Sequence, residues 1–153
     1  MKTIICILLL CISQSISPPV GDDNVPFVVS KCLQDETNGV EISRRMNPFY
    51  LRGDFDGDGK LDYAVLVKDR KSEKQGYAFC FAEANRKPQI VGAGHAVVLG
   101  SGEPVDDIPD FDVWGIAVSW SKKPRRDALY VGLSESHGSW FYWNGKRMIY
   151  YKM

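Results

Sequence analysis

Residues 49 to 67 read FYLRGDFDGDGKLDYAVLV, two apolar runs on either side of a segment dominated by acids and glycine. Phe49-Tyr50-Leu51 and Tyr63-Ala64-Val65-Leu66-Val67 are too short for helices. They are rich in the aromatic and β-branched residues that suit a pleated, buried surface, so each reads as a strand. Between them Asp54, Asp56, Asp58 and Asp62 stand at positions 1, 3, 5 and 9 of one loop, with Gly59 at position 6. An acidic loop that joins two strands makes the surrounding chain a β fold.

That order of residues is a calcium-loop pattern. Alternate carboxylates converge on one point when the chain curls tightly. Gly59 permits the bend, and the carbonyl of Lys60 falls at position 7, where such loops use a backbone oxygen. The expected ligands are therefore Asp54, Asp56, Asp58 and Asp62 by side chain and Lys60 by main chain. Ca²⁺ is the favoured ion, because it accepts about six to eight oxygens in flexible geometry. Mg²⁺ demands a tighter octahedron, and Zn²⁺ prefers nitrogen or sulfur, which neither His95 nor His137 is near enough in sequence to supply. Four carboxylates within nine residues repel one another when no cation is present, so the metal-free loop is expected to be less ordered. An EF-hand would place a Glu at position 12 between two helices, whereas position 12 here is Val65, inside the second strand. The competing reading is a glycine-rich turn without metal, since Asp-Gly forms turns in its own right. A turn alone gives no reason for acids at all four ligand positions.

In this strand-loop-strand setting RGDFDGDGKLDYAVLV, residues 52 to 67, resembles the calcium-binding loop of FG-GAP repeats. These are the units of integrin α-chain propellers and of many exported bacterial proteins. The resemblance implies blade-like strands, one bound Ca²⁺ and no known reaction. It covers one repeat only, while a whole propeller needs roughly 4–8 blades. Asp127-Ala128-Leu129-Tyr130-Val131 resembles the downstream strand of such a unit but lacks the acidic loop, so no second metal site is expected. The chain is thus similar to small exported proteins that carry a single repeat of this type.

Short apolar runs separated by turn residues predict strands over 49–52, 63–68, 76–82, 89–93, 113–120, 128–133, 139–143 and 147–151. Asn144-Gly145 marks a hairpin between the last two, expected as a two-residue type I′ turn flanked by Trp143 and Lys146. Upstream, Val25, Val28, Val29, Cys32 and Leu33 fall at helical spacing, which predicts a short helix within 24–33. Residues 40–46 read as a second helical turn or irregular chain. The expected fold class is α+β: a predominantly antiparallel β-sheet in meander order, propeller-blade-like, with a short N-terminal helix.

Lys2, the apolar run 4–12 and the polar stretch 13–17 match a secretory signal peptide. This divides the chain into a signal, 1–17, and a single FG-GAP-like β-rich domain, 18–153. The run falls well short of the ~20 residues that cross a bilayer as a helix, so no transmembrane anchor is expected. A lipid anchor at Cys11 would need a small residue before it, and Leu10 is not small. The expected destination is the periplasm or the exterior. Removal of Cys6 and Cys11 leaves Cys32 and Cys80, which either pair in an oxidising compartment or lie as two buried thiols. Lys+Arg at 19 balances Asp+Glu at 19, so no global field points to nucleic acid or a membrane surface.

The remaining features have plainer readings. Arg52-Gly53-Asp54 spells an integrin-binding tripeptide, but a carboxylate committed to a cation is not free for a receptor. Asp106, Asp107, Asp110 and Asp112 lack calcium-loop order and read as a solvated loop; Lys122, Lys123, Arg125 and Arg126 read as an exposed connection. Trp114, Trp120, Trp140 and Trp143 fit sheet packing ahead of a sugar-stacking face. Gly132-Leu133-Ser134-Glu135-Ser136 fails the GxSxG elbow at its last position, and Gly92-Ala93-Gly94 lacks the third glycine of a dinucleotide site. No catalytic residue is assigned, and no enzyme is expected. The sequence predicts an exported calcium-binding β domain that acts as a binding or interaction module for a protein or glycan, with its partner surface on loops 100–112 and 134–138. The alternative is a small exported hydrolase using His137 and neighbouring serines or acids on a calcium-stiffened scaffold.

Overall fold

Every residue of Gln75–Cys80 is buried, which places this strand at the centre of the packing. The computed structural model describes residues 24–34, 39–83, 85–105, 113–121, 126–133 and 138–152. In chain order the elements are α1 (Phe27–Cys32), β1 (Val40–Ile42), β2 (Tyr50–Gly53), β3 (Asp62–Asp69), β4 (Gln75–Cys80), β5 (Gln89–Gly92), β6 (Val97–Val98), β7 (Pro104–Val105), β8 (Val113–Ser121), β9 (Arg126–Leu133), β10 (Ser139–Trp143) and β11 (Met148–Lys152). The chain is mostly antiparallel β-sheet, with one short helix among the described residues.

One sheet runs β1-β3-β4-β5, with β2 also paired to β3. β1 and β2 share one edge of β3 end to end: β2 lies against the stretch from Asp62 to Val65, and β1 against Val67 to Asp69. A second sheet pairs β8, β9, β10 and β11 in sequence order, and β6 pairs with β7.

Period-two alternation assigns the faces of the first sheet. Ala64 and Leu66 of β3 and Tyr77 and Phe79 of β4 point to one side, where Leu129, Val131, Phe141, Trp143, Met148 and Tyr150 of the second sheet meet them. Phe141 is the hub of this layer, with ring centroids 6.0 Å from Tyr77, 6.2 Å from Phe79 and 5.2 Å from Tyr150. Val65, Val67, Ala78 and Cys80 point to the other side, where Val29 of α1 covers them. The Sγ atoms of Cys32 and Cys80 lie 1.99 Å apart, so of the two readings open for these cysteines the paired one is observed. The disulfide ties the end of α1 to the end of β4.

The predicted strands are present, with ends moved by one or two residues. Two local expectations are corrected. Residues 40–42, read as helical or irregular, form β1, because the free edge of β3 offers hydrogen-bonding groups that β-branched Val40 and Ile42 can take. The last hairpin turns one residue later than expected. Trp143 pairs with Met148, Asn144 N–H donates to the Arg147 carbonyl at 3.1 Å, and Gly145, at φ +100°, opens the two-residue turn. Asn144 Oδ1 accepts from the N–H groups of Lys146 (2.9 Å) and Arg147 (3.0 Å), so its side chain caps the turn instead of its backbone forming it. The predicted signal segment 1–17 lies outside the described residues, as do residues 106–112, 122–125 and 134–137. Among the described residues no helix is long and apolar enough to cross a membrane.

Candidate metal centre

The acidic loop is fixed at both ends by the ladder it interrupts, since Gly53 of β2 pairs with Asp62 of β3. Its second residue, Phe55, is fully buried, with its ring edge-on to Phe79 at 5.4 Å, and so anchors the loop in the core between the sheets. Gly57 and Gly59 both adopt the left-handed region, at φ +82° and +81°, where a side chain would be strained. The bend expected at Gly59 is therefore there, and a second one precedes it.

The aspartates fold the loop around themselves. Asp54 accepts from the N–H groups of Gly57 at 2.8 Å and Gly59 at 3.1 Å. Asp56 Oδ1 accepts from Asp58 N–H at 3.0 Å, and Asp58 Oδ1 from Lys60 N–H at 2.8 Å. As a result one carboxylate oxygen from each of Asp54, Asp56 and Asp58 lies within 4.8 Å of the others. These three carboxylates could hold a metal ion. The donors are all hard oxygens, which suits a cation such as Ca²⁺ or Mg²⁺ better than one that seeks sulfur or imidazole.

Of the other two expected ligands, Asp62 does not join this group. Asp62 is fully buried; Oδ2 accepts from Phe55 N–H (3.0 Å) and Asp56 N–H (3.4 Å), and Oδ1 from Ala82 N–H (2.8 Å). It clamps the loop entrance to the end of β4, beside the three-carboxylate group. Burial pushes its carboxyl up to about 6, against the pull of those N–H groups. Lys60 stands at the loop exit with its ammonium 3.0 Å from Asp58 Oδ2. Its N–H and ammonium together hold the Asp58 carboxyl below the usual range, while Asp58 raises the Lys60 ammonium in turn.

Two residues that sequence reading did not connect to the loop complete it. Asp127, at the start of β9, accepts from Asp54 N–H at 2.8 Å. Arg86, on the connection between β4 and β5, donates to Asp56 Oδ2 and lies over the rings of Phe81 and Trp143. Asp127 lies in the stretch 127–131, which reads as a strand but not as a partner of the loop. Arg86 carries no signal, because only the tertiary fold brings it to the loop. His137, Ser134 and Ser136 of the hydrolase alternative lie outside the described residues, whereas Ser139 is buried on β10 with its hydroxyl 2.9 Å from that of Tyr150. Comparison with family models, with curated proteins and with solved structures finds no match.

Proposed function

We propose that the loop binds one Ca²⁺ and that the chain is an exported, calcium-stabilised β domain with an FG-GAP-like, blade-like unit, serving as a binding module for a protein or glycan. The observation that carries this reading is the meeting of Asp54, Asp56 and Asp58 within 4.8 Å, on a loop that two left-handed glycines allow to curl. Those three residues supply side-chain oxygens and Lys60 its carbonyl, while Asp62 braces the loop with both oxygens on backbone N–H groups. The ion is structural. It neutralises mutual repulsion among the carboxylates and pins the connection between β2 and β3. The Cys32–Cys80 pair supports export, since such bonds persist in oxidising compartments.

Calorimetry on chelator-treated protein tests the calcium reading, with Mg²⁺ as the competitor. The expected result is one stoichiometric heat with Ca²⁺ and a higher melting temperature in its presence. At free calcium a hundredfold above Kd the stabilisation is about 2.7 kcal/mol. No heat at millimolar calcium, with melting unchanged by chelator, overturns the reading.

A further inference from the structure

One carboxylate of the loop already carries a cation. Arg86 reaches 30 residues back along the chain to place Nη1 on Asp56 Oδ2, while its guanidinium carbon lies 3.6 Å from the Phe81 ring centroid and 4.6 Å from that of Trp143. Only 7% of the Asp56 side chain and 23% of the Arg86 side chain remain exposed. Lys60, the other cation on the loop, is 61% exposed and stands in solvent beside Asp58. A shielded guanidinium lying against two rings is held far more firmly than an exposed ammonium.

Arg86 also has somewhere to go. The same Nη1 lies 3.8 Å from Glu83 Oε2, and Arg86 forms part of the wall of an open cleft of about 350 Å³ that it shares with Phe27, Lys31, Glu83 and Lys87. A divalent ion on Asp56 would face the guanidinium across one carboxylate. At that separation, in partly desolvated surroundings, like charges repel strongly. Resting on the calcium reading above, we propose that Arg86 is a tethered competitor for the loop: Ca²⁺ displaces its guanidinium from Asp56 towards Glu83 and the cleft. Arg86 thereby sets the calcium concentration at which the loop fills, and its movement off Trp143 reports filling to the second sheet.

The test compares wild type, Arg86→Gln and Arg86→Lys by calcium calorimetry and by tryptophan emission, with Trp143→Phe as the emission control. Arg86→Gln is expected to tighten Ca²⁺ binding about tenfold, the order of one charge-assisted hydrogen bond, and Arg86→Lys by less. Calcium should change the emission of wild type, but not that of Arg86→Gln or Trp143→Phe. Equal or weaker calcium affinity in both Arg86 variants, each shown by cooperative melting in chelator to be folded, overturns the competitor role while leaving the calcium reading intact. If Arg86→Gln does not fold, the Arg86→Lys affinity and the Trp143-dependent emission of wild type decide. Absence of calcium heat from wild type and variants alike overturns the calcium reading, and this proposal with it.

Discussion

Asp54 and Asp127, 73 residues apart, exchange two hydrogen bonds: the N–H of Asp54 donates to Asp127 Oδ2 at 2.8 Å, and the N–H of Asp127 donates to the carbonyl of Asp54 at 2.8 Å. The first residue of the acidic loop is thus bonded to the start of β9, which belongs to the other sheet. With Phe55 buried beside it and Asp62 clamping the loop to Ala82, the loop is held from three directions.

Asp127→Ala is expected to remove the side-chain half of this exchange and leave the half-buried Asp54 N–H without its acceptor. The cost should be about 1–2 kcal/mol of folding stability by urea titration, with a severalfold loss of calcium affinity by calorimetry. Asp127→Asn keeps an acceptor oxygen and should stay close to wild type in both. An Ala variant with unaltered stability and affinity would show that the second sheet does not position the loop.

The Cys32–Cys80 disulfide closes a sequence separation of 48 residues, for which the chain-entropy model gives about 4 kcal/mol of stabilisation. Cys32→Ser with Cys80→Ser should lower the urea midpoint accordingly, and reductant should do the same to wild type. Calcium heat should persist in the folded double variant, because the bond lies on the helix-covered side of the sheet and the acidic loop is anchored by Phe55 in the layer between the sheets.

The legible parts of this fold are those governed by short-range chemistry. The short run of aromatic and β-branched residues from Tyr63 to Val67 identified β3, and the acid spacing with Gly59 identified a loop whose first three acids do converge. What was not legible depends on partners distant in sequence. Val40 and Ile42 form a strand because β3 has an open edge, a property of β3 and not of residues 40–42. Asp62 was read as an acid facing the loop centre; its oxygens turn to the N–H groups of Phe55, Asp56 and Ala82, which converge only after β3 and β4 have paired. Arg86 is separated from Asp56 by two whole strands, so no local pattern announces their contact. In the last hairpin both Asn144 and Gly145 were recognised as turn residues, but the capping bonds of Asn144 moved the turn by one position.

Acid sensitivity provides a further check at the opposite end of β3. Asp69 closes the β3–β4 hairpin, with Oδ1 accepting from Ser72 Oγ at 2.7 Å, Ser72 N–H at 2.6 Å and Lys71 N–H at 3.2 Å. The Ser72 hydroxyl, followed by the Ser72 N–H, holds this carboxyl below its ordinary value of 3.8. A depressed folded pKa means that the unfolded chain takes up the proton first. The contribution of Asp69 is therefore complete above pH 3.8 and is lost as pH falls through the lower folded value. Asp62 acts in the opposite sense between 3.8 and about 6, where the folded state holds the extra proton, so the two windows separate. In chelator, urea titrations below pH 3.8 should show a shallower fall of stability with acidification for Ser72→Ala than for wild type, and shallower still for Asp69→Asn. Parallel curves for all three proteins would mean that the hairpin turn does not discriminate between charged and neutral Asp69.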